Sequence, residues 1–249
     1  MPVVLEPIGI IRSCFKEKFG IPRQPGLVRE ARARLELLPP FDRPEAVRGL
    51  EGFSHIWIIF IFHANRQGMW KPTVRPPRLG GNRRIGVFAS RSGFRPNPVG
   101  ISAVELAGLR FPDERAVLDI RGSDLLDGTP VVDIKPYLPY SDSRPAAGAG
   151  YAPAPPDPLL PVLFSSRAQA ACRRYRPGDG TDLRALITAL LQADPRPAYH
   201  RAHPCHRGYG FRIFDLDVRW RVQDAAIVVE AIVAARDENS DPGRRPAGE

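Results

Sequence analysis

The sequence predicts a mainly β first domain followed by a small α+β unit. Three observations carry that prediction. Runs with apolar residues at alternate positions, the pattern of half-buried strands, dominate residues 1–143. A Pro/Ala/Gly stretch at 144–158, RPAAGAGYAPAPPDP, suits no regular element and reads as a linker. Helical periodicity is concentrated beyond it, at 166–175 and 182–191 within a second unit spanning 159–236. Residues 237–249 are polar and are expected to form a disordered tail.

In chain order, 3–12 carries Val and Ile in loose alternation and is expected to be the first strand. Gly20, Pro22, Pro25 and Gly26 then prevent regular structure, while Arg23 and Gln24 offer donors in a stiff frame. A second strand is expected over 31–38, and a short helix over 44–50 with Asp42 as its cap. The most apolar run, 55–63, suits a central strand of a closed or two-layered sheet. Further strands are expected over 85–89, 101–106, 115–121 and 130–138, with Asp127-Gly128 a tight-turn signal before the last. In the second unit, a helix capped by Thr181 or Asp179 precedes strands over 211–222 and 226–235.

The residues around which the chain is organised lie at 83–108, RRIGVFASRSGFRPNPVGISAVELAG. Between its two apolar runs stand Arg91, Ser92, Arg95 and Asn97. Pro96 and Pro98 fix their own φ and push Arg95 and Asn97 towards extended backbone, so the donors are pre-aimed at an anionic or nucleotide-like ligand. A solvated turn is the alternative. The preceding loop, 64–84, sets Arg66, Lys71, Arg75, Arg78, Arg83 and Arg84 beside Trp70. Cations next to an exposed aromatic suit a nucleic-acid backbone and a stacked base; the alternative tucks Trp70 onto the sheet. A net charge of +9 and a pI near 10.0 agree with a polyanionic partner.

Several chemistries are disfavoured. The GxG starts at Gly148, Gly178 and Gly208 do not complete a dinucleotide-binding fingerprint, and neither a P-loop nor a GxSxG elbow occurs. His200, His203, Cys205 and His206 crowd into seven residues, a spacing that closes one tetrahedral metal site badly, and no metal is expected. Cys14, Cys172 and Cys205 are widely spaced and odd in number, pointing to a reducing compartment. No targeting signal is read at the N-terminus, and the longest apolar run, 56–62, is too short for a bilayer. A soluble cytoplasmic protein is expected.

Four blocks carry a resemblance: EGFSHIWIIFIFH at 51–63, RIGVFASRSGFRPNPVGIS at 84–102, SDLLDGTPVVDIKPYLPYSD at 123–142 and DPRPAY at 194–199. In this order they resemble the TsaA/TrmO family of tRNA methyltransferases. The resemblance implies a single β-barrel in place of a Rossmann sheet, a homodimer, S-adenosylmethionine as cofactor, and as substrate threonylcarbamoyladenosine beside the anticodon, methylated on its exocyclic nitrogen. Carried over by motif, it implies cofactor contacts from Pro22, Arg23, Gln24, His63, Ala64, Arg91, Ile101, Asp127, Gly128, Thr129 and Pro130. Arg95, Asn97, Arg196 and Tyr199 are the expected contacts to the tRNA anticodon stem-loop, Arg95 to the carboxylate of the modified base. No side chain announces itself as a general base; His63 and Asp127 are considered only because the motifs put them near the cofactor. An RNA-binding barrel without catalysis and a methyltransferase with a non-tRNA substrate are the rival readings.

Overall fold

In the computed structural model, which describes residues 3–65, 70–154, 160–196 and 208–235, the first eight strands are β1 (Gly9–Ser13), β2 (Arg32–Leu37), β3 (His55–Ile61), β4 (Thr73–Val74), β5 (Ile85–Gly86), β6 (Val99–Arg110), β7 (Val117–Arg121) and β8 (Pro130–Pro136). Six of them close a barrel in the order β1-β2-β7-β6-β3-β8, every ladder antiparallel, while β4 and β5 form a separate two-stranded ribbon. Alternation decides which side chains fill it. In β3 Ile56, Ile58 and Phe60 point inward, and in β2 Ala33, Leu35 and Leu37 do so while Arg32, Arg34 and Glu36 face out. They meet Ile11, Val104, Leu118, Ile120, Leu125 and Val131 in one apolar interior. Gly100 on β6 is required by that packing: a Cβ there would stand 2.3 Å from the Phe60 ring.

Beyond a four-residue helix α1 (Pro139–Asp142), the chain builds a second sheet from β9 (Val162–Phe164), β10 (Gly208–Ile213), β11 (Leu216–Gln223) and β12 (Ala226–Ala234), ordered β10-β11-β12-β9. β9 runs parallel to β12. Helices α2 (Ser166–Arg174) and α3 (Leu183–Gln192) supply Ala168, Leu183, Leu186, Ile187 and Leu190 to its core around the fully buried Trp220. Cys14, Phe15, Val28 and Ala31, all from the barrel's β1–β2 connection, lie in that same core. Phe15 bridges to Ile213, and the Phe214 amide donates to the Cys14 carbonyl at 2.7 Å.

The structure revises several elements. β1 begins only at Gly9, where ladder partners on β2 and β8 become available, and Val3 and Val4 are exposed. The helix expected over 44–50 is two 3-10 turns, Pro44–Val47 and Leu50–Gly52, separated by Gly49 at φ 86°. Asp42 caps neither; its carbonyl accepts the Ala116 amide at 2.7 Å and its carboxylate pairs with Arg115. The run 85–89 leaves the ribbon after Gly86 and tightens into a 3-10 turn at Val87–Ala89. The cap of α3 is Asp182, which accepts the Ala185 amide at 3.0 Å, in place of Thr181 or Asp179. Residues 211–222 split into a hairpin at Phe214, whose φ is 52°, and β9, three residues long, has too little pattern to be read.

Phe15 is 1% exposed within a core contributed mostly by the second unit. Phe15→Ala is expected to cost about 3–5 kcal/mol, measured by urea unfolding, with barrel and second sheet losing structure together.

Candidate functional site

β1 ends at Ser13, β3 at Ile61 and β7 at Arg121, and the ladder registers put these three strand ends at the same end of the barrel. The connections that leave there, residues 14–31, 62–98 and 122–129, contain nearly every expected cofactor residue: Pro22, Arg23, Gln24, His63, Ala64, Arg91, Asp127, Gly128 and Thr129. Pro130 opens β8 at this end, and Ile101, 51% exposed, lies near the start of β6.

Side-chain contacts tie the three connections together. The Arg91 guanidinium donates to Gln24 Oε1 at 2.5 Å, and Lys18 Nζ donates to Asn65 Oδ1 at 2.9 Å. Asp127 is held at both oxygens, Oδ1 by the Ser13 amide at 2.9 Å and Oδ2 by Lys16 Nζ at 2.8 Å. Gly128 adopts φ 77°, which favours glycine, its amide donates to the Ile11 carbonyl, and its open side faces His63 Nε2, 4.0 Å from where a Cβ would lie. Thr129 Oγ1 turns back to the Leu126 carbonyl at 2.7 Å and shapes this turn. From β6, Ser102 Oγ donates to Asp124 Oδ1 at 2.7 Å and ties that strand to the 122–129 connection.

Burial and neighbouring charge set the protonation states. Burial lowers the His63 pKa below the ordinary histidine value; the Lys18 ammonium lowers it further, against the Ile61 backbone and Asp127. The ring is therefore biased to the neutral form. Burial pushes the Asp124 carboxyl up to about 6, overcoming its hydrogen bonds from Ser102 and its own backbone and the positive charge of Arg91. The same effect holds the Cys14 thiol protonated, pushed up to about 12.

Not every expected site residue joins this cluster. The Arg23 guanidinium donates to the backbone carbonyls of Asp194 and Arg196 at 3.4 and 3.2 Å, clamping the β1–β2 connection to the chain after α3. Arg196, expected at the RNA surface, instead makes a two-pronged buried ion pair with Asp194 at 2.8 and 3.0 Å, its side chain 10% exposed. The DPR part of DPRPAY thus works as a clamp inside the molecule. Arg95 Nη1 donates to the Val87 and Ser90 carbonyls at 3.2 and 2.8 Å, and its guanidinium lies 5.5 Å from the Phe88 ring centre. Asn97 is exposed, its carbonyl accepting the Val99 amide. Arg66, Tyr199 and the His200–His206 segment lie outside the described residues. Trp70 is 52% exposed, so it is not tucked onto the sheet, and beside it Lys71 Nζ sits 4.9 Å from the Phe94 ring centre.

Lys16, Lys18, Asn65, Ser102 and Asp124 join the site without having been singled out from the sequence. A signal existed for Asp124, since SDLLDGTP is an acidic turn between Arg-rich loops. Two clefts on the barrel's outer wall, about 560 Å³ around Arg29, His55 and Glu105 and about 360 Å³ around Arg32, Arg34 and Arg110, are lined by other residues. Among the described residues, no cluster of three His, Cys, Asp or Glu suits a metal ion, and no helix is long and apolar enough to cross a membrane.

Comparison with known proteins gives the same picture from outside. The family model described as tRNA-methyltransferase O N-terminal domain matches residues 10–143, and the TrmO C-terminal domain matches residues 157–235. A tRNA (adenine(37)-N6)-methyltransferase of Escherichia coli K12 is 48% identical over 231 residues, covering 91% of this chain and 96% of that one. A putative S-adenosylmethionine-dependent methyltransferase, RcsF, of Pseudomonas aeruginosa PAO1 is also 48% identical, over 94% of this chain and 98% of the relative. The crystal structure of TrmO from Pseudomonas aeruginosa superposes with a TM-score of 0.78 at 42% identity, covering 94% of this chain and 99% of that one. With both family models matched in order along a chain that closes the same fold, this protein belongs to the tRNA-methyltransferase O family.

Proposed function

We propose that this chain is an S-adenosylmethionine-dependent tRNA methyltransferase that methylates the exocyclic nitrogen of threonylcarbamoyladenosine next to the anticodon. The observation that carries the reading is the gathering of three sequence-distant connections at one barrel end, in a chain 48% identical to a tRNA (adenine(37)-N6)-methyltransferase.

The residues present fit the cofactor. Arg91, oriented by Gln24, offers a guanidinium to a carboxylate, and the open backbone at Gly128 admits close approach to a flat ring. Asp127, fixed at both oxygens, holds the turn that Gly128 needs. When bound, the sulfonium supplies an electrophilic methyl carbon. The chain's own contribution is to align the acceptor nitrogen with that carbon and to exclude water around it.

The RNA is read by a separate surface. Lys71, Arg75, Arg78, Arg83 and Arg84 are exposed around the β4–β5 ribbon, next to Trp70, Phe88 and Phe94, and pair cations with rings suited to phosphates and an unstacked base. Arg95 and Asn97, at the rim between this ribbon and the cofactor residues, are proposed to meet the modified base. Tyr199 is proposed for the RNA as well, whereas Arg196 contributes by holding the second unit in place. The chain is proposed to work as a cytoplasmic homodimer. A monomer in sedimentation equilibrium would remove that part of the reading.

Arg91→Ala is expected to weaken S-adenosylmethionine binding about tenfold or more, since a charged hydrogen bond contributes about 1.5–3 kcal/mol; calorimetry reads it, and unchanged affinity in a folded variant would reassign Arg91. Gly128→Val is expected to abolish saturable binding, because a β-branched residue is strained at φ 77° and fills the space facing His63. Replacing Arg75, Arg78 and Arg83 together by Ala should weaken tRNA binding and flatten the dependence of log affinity on log salt by about 0.7–0.9 per lost phosphate contact. An unaltered slope would move the RNA surface elsewhere.

A further inference from the structure

We infer that Asp124 is the general base of the methyl transfer, taking the proton from the acceptor nitrogen, with Ser102 as its positioning residue. This rests on the function proposed above and adds a role to a residue outside the expected cofactor set.

Geometry separates Asp124 from the other acids and bases of the site. Asp127 has both carboxylate oxygens engaged, by the Ser13 amide and Lys16 Nζ, and is spent on holding its turn. Asp124 receives one side-chain donor among the described residues, the buried Ser102 hydroxyl on Oδ1 at 2.7 Å, besides its own backbone amide. Ser102 points into the barrel, on the opposite face of β6 from the exposed Ile101. Asp124, half-buried, lies three residues before Asp127 in the connection that carries the cofactor turn, with Arg91 near enough to act on its charge, so the carboxylate belongs to the barrel end where the expected cofactor residues gather. The groups that act on its charge are Arg91 from the 62–98 connection, Ser102 from β6 and its own backbone amide, all favouring the anion, against burial, which disfavours it. A carboxylate so placed is partly desolvated, held by a single side-chain donor and basic enough to accept a proton near neutral pH.

The step balances as follows. The acceptor nitrogen's electron pair forms the new N–C bond to the methyl carbon as the C–S bond breaks and its pair returns to sulfur, leaving a neutral thioether. The N–H proton passes to Asp124, which becomes a neutral carboxylic acid and later releases the proton to water. A ureido-type nitrogen is a weak nucleophile because its lone pair is delocalised into the carbonyl, so removing its proton during transfer raises its reactivity at the point where it is needed.

The test uses the full chain, S-adenosylmethionine and tRNA bearing threonylcarbamoyladenosine. Single-turnover methyl transfer is measured from pH 5 to 9 for the wild type, Asp124→Asn, Ser102→Ala and His63→Gln, with cofactor affinity by calorimetry. Asp124→Asn keeps the shape and the Ser102 contact. It is expected to bind cofactor within about threefold of wild type and to transfer methyl about a hundredfold or more slowly, the range for losing a general base. The wild-type rate should rise with pH as the carboxyl ionises, and this acidic limb should vanish in Asp124→Asn. In Ser102→Ala, which removes a donor that favours the anion, the limb should move to higher pH. The inference is overturned if Asp124→Asn transfers at a near-wild-type rate, keeps the limb or loses cofactor affinity, or if His63→Gln removes the limb instead. A wild type that methylates no such tRNA overturns the function itself; an active wild type with an active Asp124→Asn overturns only the base.

Discussion

Cys14 and Phe15 leave the barrel wall at the end of β1 and enter an apolar core built by α2, α3 and the second sheet. The rest of the structure depends on that burial. With Phe15 seated against Ile213 and Phe214 hydrogen-bonded to Cys14, the β1–β2 connection is pinned at its start; Val28 and Ala31 pin it at its end. Pro22, Arg23 and Gln24 are therefore held between two fixed points, although they lie in a stretch without regular structure. Arg23 adds a polar clamp to the carbonyls of Asp194 and Arg196, where the buried Arg196–Asp194 pair keeps the charge compensated. The second unit thus orders one wall of the site from outside the barrel.

The electrostatics of the site follow from how many donors each acid receives. Asp127 is satisfied at both oxygens and becomes part of the scaffold, carrying the left-handed Gly128 that faces His63. Asp124 receives one side-chain donor in a drier place and is left with basicity to spare. His63, lowered by burial and by Lys18, tends to the neutral ring. Two carboxylates three residues apart in one turn are so given different tasks by their surroundings.

Much of this was legible in the sequence, for physical reasons that differ by element. Strand alternation reports which side faces an apolar interior, so β2, β3, β7 and β8 could be read nearly to their ends, whereas β9, with three residues and a parallel partner far along the chain, could not. Local patterns were misleading where tertiary contacts compete: 85–89 alternates like a strand but turns after Gly86, and Asp42 looks like a cap but serves Ala116 and Arg115. The resemblance named Arg91, Gln24 and Asp127 as site residues; it did not say that Arg91 is oriented by Gln24 or that Lys16 holds Asp127.

By itself the sequence determined the mainly β character, the family and the basic, aromatic-bearing loop, because each is written in residues close together along the chain. Tertiary structure alone decided which strands close the barrel, that the connections after β1, β3 and β7 leave from one end, and that Arg196 is a buried clamp instead of an exposed cation. It also decided that Asp124 meets Ser102 from 22 residues away. These are contacts between distant segments, whose energies depend on burial and on the number of donors each group receives. Neither quantity exists until the barrel has closed and Phe15 has joined the second core to it.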